Sequence, residues 1–433
     1  MRTRGGWNWR FVASVLALAA PISARATELA SNEGAAMTVD SADQACLQLK
    51  DANTWSTKLN YLSGVGTVTS LASLLTNLSE TAVALTSSTH PPVVGYHSGM
   101  RWSDADMATA DWTPQGLTTG SSGEIDFAIM SWHSSDGDHS RVSIVDTTDL
   151  SRAKYRNVIL VNPTGAGKYE PVGLHVGGLV LEGNYLYVTD SYHGFRVFDL
   201  NQIRKVDGSN STCSGRYGRN GSSWCANGYA YMLPQVNAYT IPDTKSNGTT
   251  IPSACKPKFS WAGKDTRPST DLVLSGEYCA PPTSGNTDEQ NEDRECRKDV
   301  TGLNGRFYQW PLGADNKLVT SGLYVTPKKV FYMNERNVQG VAPDMVKDAS
   351  GNYETDTYWL SSTHSSGALF KVSPSAPART WKYSNAQLPY APEGVHAALS
   401  GGNLWMVTEG ERGNTNPATG GRVYISIEQS AVH

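Results

Sequence analysis

The chain has 433 residues, 39% of them hydrophobic, 18% charged and 9% aromatic, with 36 basic against 40 acidic side chains and a formal charge of −4. That balance excludes a disordered, collagenous or polytopic membrane protein. A mildly acidic chain without a Lys/Arg cluster also argues against nucleic acid as a partner, while 41 Gly, 21 Pro, 12 Trp and 20 Tyr point to many turns and aromatic-rich strands.

At the N-terminus, Arg2, Arg4 and Arg10 precede the apolar run Phe11 to Ile22, and Ala24-Arg25-Ala26 supplies the small residues of a cleavage site. Residues 1–26 are therefore expected to be a secretory signal. The run is shorter than the ~20 residues that span a bilayer, so no membrane anchor is expected. Over residues 27–90, Cys46, Leu47 and Leu49 and then Leu62 to Leu85 place apolar groups at helical spacing, which predicts a short helical leader. Pro91-Pro92 ends it, and residues 91–433 follow a different pattern.

Export into the secretory lumen or out of the cell turns the six cysteines into expected disulfides. Cys213 with Cys225 and Cys279 with Cys296 each bracket an irregular insertion, leaving Cys46 with Cys255 by elimination. The sequons at Asn77, Asn210, Asn220 and Asn247 predict a glycoprotein.

Beyond Pro92, short aromatic and β-branched runs alternate with Gly, Asn and Asp, a strand pattern. Five copies of one unit emerge. A strand ending in small or polar residues occurs at 126–132, 184–190, 271–277, 357–363 and 403–409, and a second alternating strand follows each. Most are preceded by a shorter strand with a Gly-apolar step: Gly116-Leu117, Gly178-Leu179, Gly340-Val341 and Gly394-Val395. The third unit lacks it, with Phe259-Ser260-Trp261 standing in. Such units match the blades of a β-propeller. The fold class is thus all-β, a five-bladed propeller, or six-bladed if residues 228–261 form a blade of their own. Val93 to Trp102 is positioned to complete the last blade.

In a propeller the start of each first strand and the end of each second strand reach the same mouth of the central channel. That gathers Gln115, His175, Gln339 and Glu393 with Trp132, His133, Asp190, Glu277, His364 and Glu409. Glycine after Gln115, Gln339 and Glu393 lets the backbone crowd the axis, where a Cβ would clash. His175 and Glu393 are the expected acid/base pair. Gln115 and Gln339 would orient a carbonyl or hydroxyl, and Trp112, Trp132 and Tyr192 would form an apolar wall. Trp405 alternates towards the blade core and reads as packing.

Other signals fail on inspection. Gly165-Ala166-Gly167-Lys168 lacks the remaining residues of a phosphate loop, and no Gly-x-Ser-x-Gly elbow occurs. The His133 to His139 loop reads as a solvated turn. No metal site is expected, though acidic residues near the axis leave calcium as an option there.

Trp112-Thr-Pro-Gln-Gly116, His175-Val-Gly-Gly178, Tyr187-Val-Thr-Asp190 with Gly194-Phe-Arg-Val-Phe198, and Pro392-Glu-Gly394 resemble the recurring elements of a family of secreted propeller proteins over about residues 93–430. Within that group the signal, sequons, cysteines and leader resemble the fungal hetero-Diels–Alderases of tropolone sesquiterpenoid pathways. The resemblance implies a cofactor-independent dehydration of a hydroxymethyl tropolone to an ortho-quinone methide, which adds across an alkene of a humulene-type macrocycle. Its partners would be small apolar polyketide and terpenoid substrates. Two other classes compete. A carbohydrate-active propeller would use two carboxylates from among Asp190, Glu277, Glu393 and Glu409, and a lectin-like module would repeat its site in each blade, which the unequal strand ends disfavour.

Overall fold

The computed structural model describes residues 35–432 apart from 209–210, 269, 280–304, 349, 364–365 and 398–401. The expected signal, His364, Asn210 and Cys296 lie outside the described residues.

Five antiparallel four-stranded units follow one another along the chain. Their first strands are Trp112–Ser122, Leu179–Glu182, Phe259–Lys264, Val338–Pro343 and Pro392–Ala397. The fifth unit is completed by Tyr96–Arg101, which pairs with Val423–Glu428 from Val423↔Arg101 to Ile427↔Tyr96. Sequence-distant ends of the chain therefore close one blade, as the position of residues 93–102 predicts. Residues 228–261 form no sixth blade: Tyr231–Thr240 is the outer strand of blade 2, and Phe259–Lys264 opens blade 3.

Ring closure follows from packing. One apolar cluster lies between each pair of neighbouring blades. Ile129 and Val142 meet Leu186 and Phe198, and Tyr187 and Phe195 meet Phe259 and Trp310. Trp261 and Phe307 meet Tyr358 and Leu360, and Trp359 and Leu369 meet Leu404 and Ile425. Tyr424 and Val407 finally meet Trp132 and Met130, which returns to blade 1. Each fully buried large apolar side chain contributes roughly 1.5–3 kcal/mol, so alternation within the strands supplies the cohesion between blades.

The leader runs around the rim. Thr38–Val39 extends the outer edge of blade 3, Leu49–Asp51 pairs with that of blade 2, Glu80–Thr81 with that of blade 1, and Val83–Ala84 with the closing strand of blade 5. Edge strands left bare would pair with other chains, and the leader covers them. It carries helices at Ser41–Cys46, Trp55–Tyr61 and Leu71–Leu75, shorter than the apolar spacing over 62–85 predicts. Leu62, Leu74 and Leu75 are buried because they pack on the blades, so their spacing reflects contact with blades and not one long helix.

Cys46 bonds Cys255 and Cys213 bonds Cys225, as expected. The pairing expected of Cys279 with Cys296 involves a residue outside those described. Asn77 and Asn247 are exposed and Asn220 is half-buried. No helix among the described residues is long and apolar enough to cross a membrane.

Candidate functional site at one mouth of the channel

In blades 1, 3, 4 and 5 the pairing of first and second strands is interrupted near the strand entry, between Pro114 and Leu117, Phe259 and Trp261, Val338 and Gly340, and Pro392 and Val395. A bulge re-aims the extra residue, and the residues so displaced are Gln115, Ser260, Gln339 and Glu393. Blade 2 solves the same problem with Val176 at φ 51°, a conformation costly for a β-branched residue. The Ser131 hydroxyl holds it there, donating to the Val176 carbonyl at 2.6 Å.

The glycines at these steps let neighbouring first strands touch. A Cβ on Gly116 would lie 3.0 Å from the Leu179 nitrogen, one on Gly178 1.9 Å from that of Ala262, one on Gly263 2.3 Å from the Val341 oxygen, one on Gly340 2.7 Å from the Val395 nitrogen, and one on Gly394 2.4 Å from that of Leu117. The contacts run from each blade to the next and return to the first.

This crowding builds a polar chain across three blades. The Ser260 hydroxyl donates to Gln339 Oε1 at 3.3 Å, and Gln339 Nε2 donates to Glu393 Oε1 at 3.2 Å. Glu393 is 0% exposed, and its backbone carbonyl accepts from the Ser361 hydroxyl. Its Oε2 meets no donor among the described residues, and the Glu409 carboxyl is its acidic neighbour. Two neighbouring carboxyl groups disfavour each other's ionisation. Burial, then Glu409, raise Glu393 well above the ordinary carboxylate range. Glu409 is also raised by burial but is offset by His133, Glu393 and Arg422, which makes it the member of the pair that ionises more readily.

His133 joins His175 to this acid pair. The two imidazoles lie 4.6 Å apart between centroids. His175 is open to solvent, as a channel-mouth residue is, but the surrounding protein, and then His133, lower its pKa to about 4. It stands as a neutral acceptor or donor at neutral pH. Gln115 is 1% exposed and spends its Nε2 on the Pro114 carbonyl at 3.0 Å. Its Oε1 has no partner among the described residues.

Behind Glu409, Arg422 donates Nε to the Glu409 carbonyl at 3.2 Å and Nη1 to the Asp106 carbonyl at 2.8 Å. Asp106 also binds Arg141 at 2.6 Å and accepts from the Tyr155 hydroxyl at 2.6 Å. Arg141 lies over Trp112 and Trp132, 4.6 and 4.8 Å from their rings.

The expected residues therefore divide. His133, His175, Gln339, Glu393 and Glu409 converge, and Gln115 occupies the equivalent bulge of blade 1. Trp132 is a correction: it is fully buried between blades 5 and 1 and donates its indole N–H to Ser143 at 2.8 Å, so it forms no accessible wall. Trp112 is half-buried against Arg141. Tyr192 is 52% exposed, with Lys258 5.6 Å from its ring centre. Asp190 is held by Arg196 at 2.7 Å and His193 at 2.9 Å, and Glu277 by Arg306 at 2.7 Å. Those two carboxylates are engaged in ion pairs. Ser260, Arg422 and the strained Val176 went unread, although Ser260 sits in the segment that replaces the missing Gly step.

No protein-family model and no curated protein matches the chain. Among solved structures it is similar to Kuenenia stuttgartiensis hydrazine synthase, at 12% identity and a TM-score of 0.27 over 69% of this chain and 74% of that one. A quinoprotein alcohol dehydrogenase-like protein from Bacteroides thetaiotaomicron gives 11%, 0.25, 89% and 79%. A prolyl endopeptidase gives 12% and 0.24, and the match spans 42% of its length. The propeller assignment rests on the strand pairing and ring closure above.

Proposed function

We propose that the chain is a secreted, glycosylated propeller enzyme that uses the Glu393–Glu409 pair as a general acid, releasing water from a hydroxymethyl tropolone and directing the resulting ortho-quinone methide onto a humulene-type alkene without a cofactor. The observation that carries this reading is the fully buried Glu393 carboxyl, raised well above the ordinary carboxylate range by burial and then by Glu409, with uncharged Gln339 bonded to it and His175 nearby. Loss of hydroxide from the substrate needs a proton delivered to the leaving oxygen. A carboxylic acid whose pKa is pushed upward retains that proton nearer neutral pH. The CH2–O bond breaks and the leaving group departs as water, the tropolone hydroxyl returns its proton to the carboxylate so that the acid is restored, and the quinone methide and alkene then form one C–C and one C–O bond with no change of oxidation state overall. Neutral donors such as the Gln339 amide would steady the tropolone oxygens, and holding both reactants together lowers the entropic part of the barrier.

The geometry favours this over a glycosidase. A glycosidase needs two available catalytic carboxyls, and two of the four candidates, Asp190 and Glu277, are tied to arginines. Incubating purified protein with a hydroxymethyl tropolone and humulene, and resolving the adducts by chiral chromatography, tests the reading. The wild type should give one stereoisomer above the spontaneous background, and Glu409→Gln should lower the rate by about 10²–10⁴. Unchanged selectivity in both His175→Ala and Glu393→Gln would remove the site from the reaction.

A further inference from the structure

A cavity lies at the opposite mouth. Its volume is about 580 Å³, within the range of small-molecule sites, roughly 300–1,000 Å³. It is lined by the far ends of the first strands and the near ends of the second: Lys264, Thr266 and His396 with Asn184 and Trp405, and it is rimmed by Asn201. None of these belongs to the acid pair's mouth.

Its chemistry is specific. His396 is 5% exposed, lines the cavity, and makes no hydrogen bond to any described residue. A buried imidazole without a partner carries one donor and one acceptor still to be satisfied. Burial, then Lys264, lower its pKa to about 4, so the ring is uncharged at neutral pH. Lys264 is the lysine of the lining, and Glu182 neutralises it at 2.8 Å. The side-chain amides of Asn184 and Asn201 are exposed and likewise bond no described residue. Trp405 stacks one face on Tyr424, ring centres 4.8 Å apart, and turns its remaining surface to the cavity. The cavity thus offers uncharged hydrogen-bonding groups beside an aromatic surface, and its charged lining is Lys264, already paired with Glu182, and the exposed Asp126 carboxylate, which repels anions.

We propose that this second mouth binds a neutral, polyhydroxylated small molecule of mono- to disaccharide size, with His396, Asn184 and Asn201 taking its hydroxyls and Trp405 its C–H face. Hydroxyl groups satisfy both the donor and the acceptor nitrogen of a neutral imidazole, which a carboxylate ligand, accepting only, does not. The inference is independent of the reaction assigned to the other mouth.

Maltose, cellobiose and N,N′-diacetylchitobiose titrated into the full chain, read by tryptophan fluorescence and calorimetry with citrate as an anionic comparison, provide the test. At least one disaccharide should bind saturably and citrate should not. Asn184→Ala and His396→Phe should each weaken that binding about tenfold, the loss of one or two hydrogen bonds, while Glu409→Gln at the far mouth leaves it unchanged. If His396→Phe does not fold, the exposed Asn184→Ala and Asn201→Ala variants carry the test. Saturable citrate binding without sugar binding, no sugar binding at all, or sugar binding indifferent to the folded variants would each overturn the proposal.

Discussion

Glu393 illustrates how one side chain links stability to chemistry. Its carboxyl is fully buried and raised well above its ordinary value, so the folded state resists ionisation more than the unfolded chain does. The contribution is favourable below the unfolded value near 4.5 and is lost as pH rises through the higher folded value. Glu393→Gln removes the titration while keeping the shape and one hydrogen bond. It should therefore melt with the wild type near pH 4 and several degrees above it at pH 8, as followed by circular dichroism; equal melting points at both pH values would contradict the burial argument. His396 works with the opposite sign. A pKa lowered from 6.5 to about 4 means stability present above 6.5 and lost as pH falls towards 4, by up to ~3 kcal/mol at 1.36 kcal/mol per unit. His396→Gln should flatten that part of the acid limb in urea titrations at stepped pH. Neither shift is visible in sequence, because burial is set by blades that lie far apart along the chain.

At the scale of strands, the Gly-apolar steps were legible, and their reason is the close contact of first strands around the axis. Gly394→Ala would push a Cβ to 2.4 Å from the Leu117 backbone nitrogen, against a neighbouring strand that cannot yield. It should cost about 3 kcal/mol or more, at or beyond the upper end of overpacking penalties. Gly248→Ala, in open space but at φ +81°, should cost about 1–2 kcal/mol, and urea unfolding of the two variants measures the difference. Two features misled the sequence reading for physical reasons. Trp132 lies near the end of the strand Ile125–Ser134 at the channel mouth, but alternation sends its ring towards blade 5, opposite to Ser131, which bonds blade 2. The leader's leucines repeat at helical spacing because they dock on successive blades.

Across the whole molecule, the five-unit repeat and the closing strand were readable because each blade repeats one alternating pattern. The leader's path around the rim was not, since edge pairing of two- or three-residue strands leaves little periodicity. Cys46 ties that leader to Cys255 across a separation of 209 residues. Replacing both by Ser should cost about 2–5 kcal/mol and expose blade edges, seen as earlier unfolding and aggregation on heating; unchanged unfolding would mean the strand pairing alone holds the rim. The leader thereby maintains the ring that brings Gln339, Glu393 and Glu409 together from two blades. The most direct measurement is the pH dependence of stereoselective adduct formation from a hydroxymethyl tropolone and humulene, for wild type and Glu409→Gln. The acid-pair account predicts a wild-type rate that persists above the ordinary glutamate range and falls as the pair loses its proton, with that limb and most of the rate absent in the variant. A rate and selectivity identical in the two proteins at every pH would contradict it.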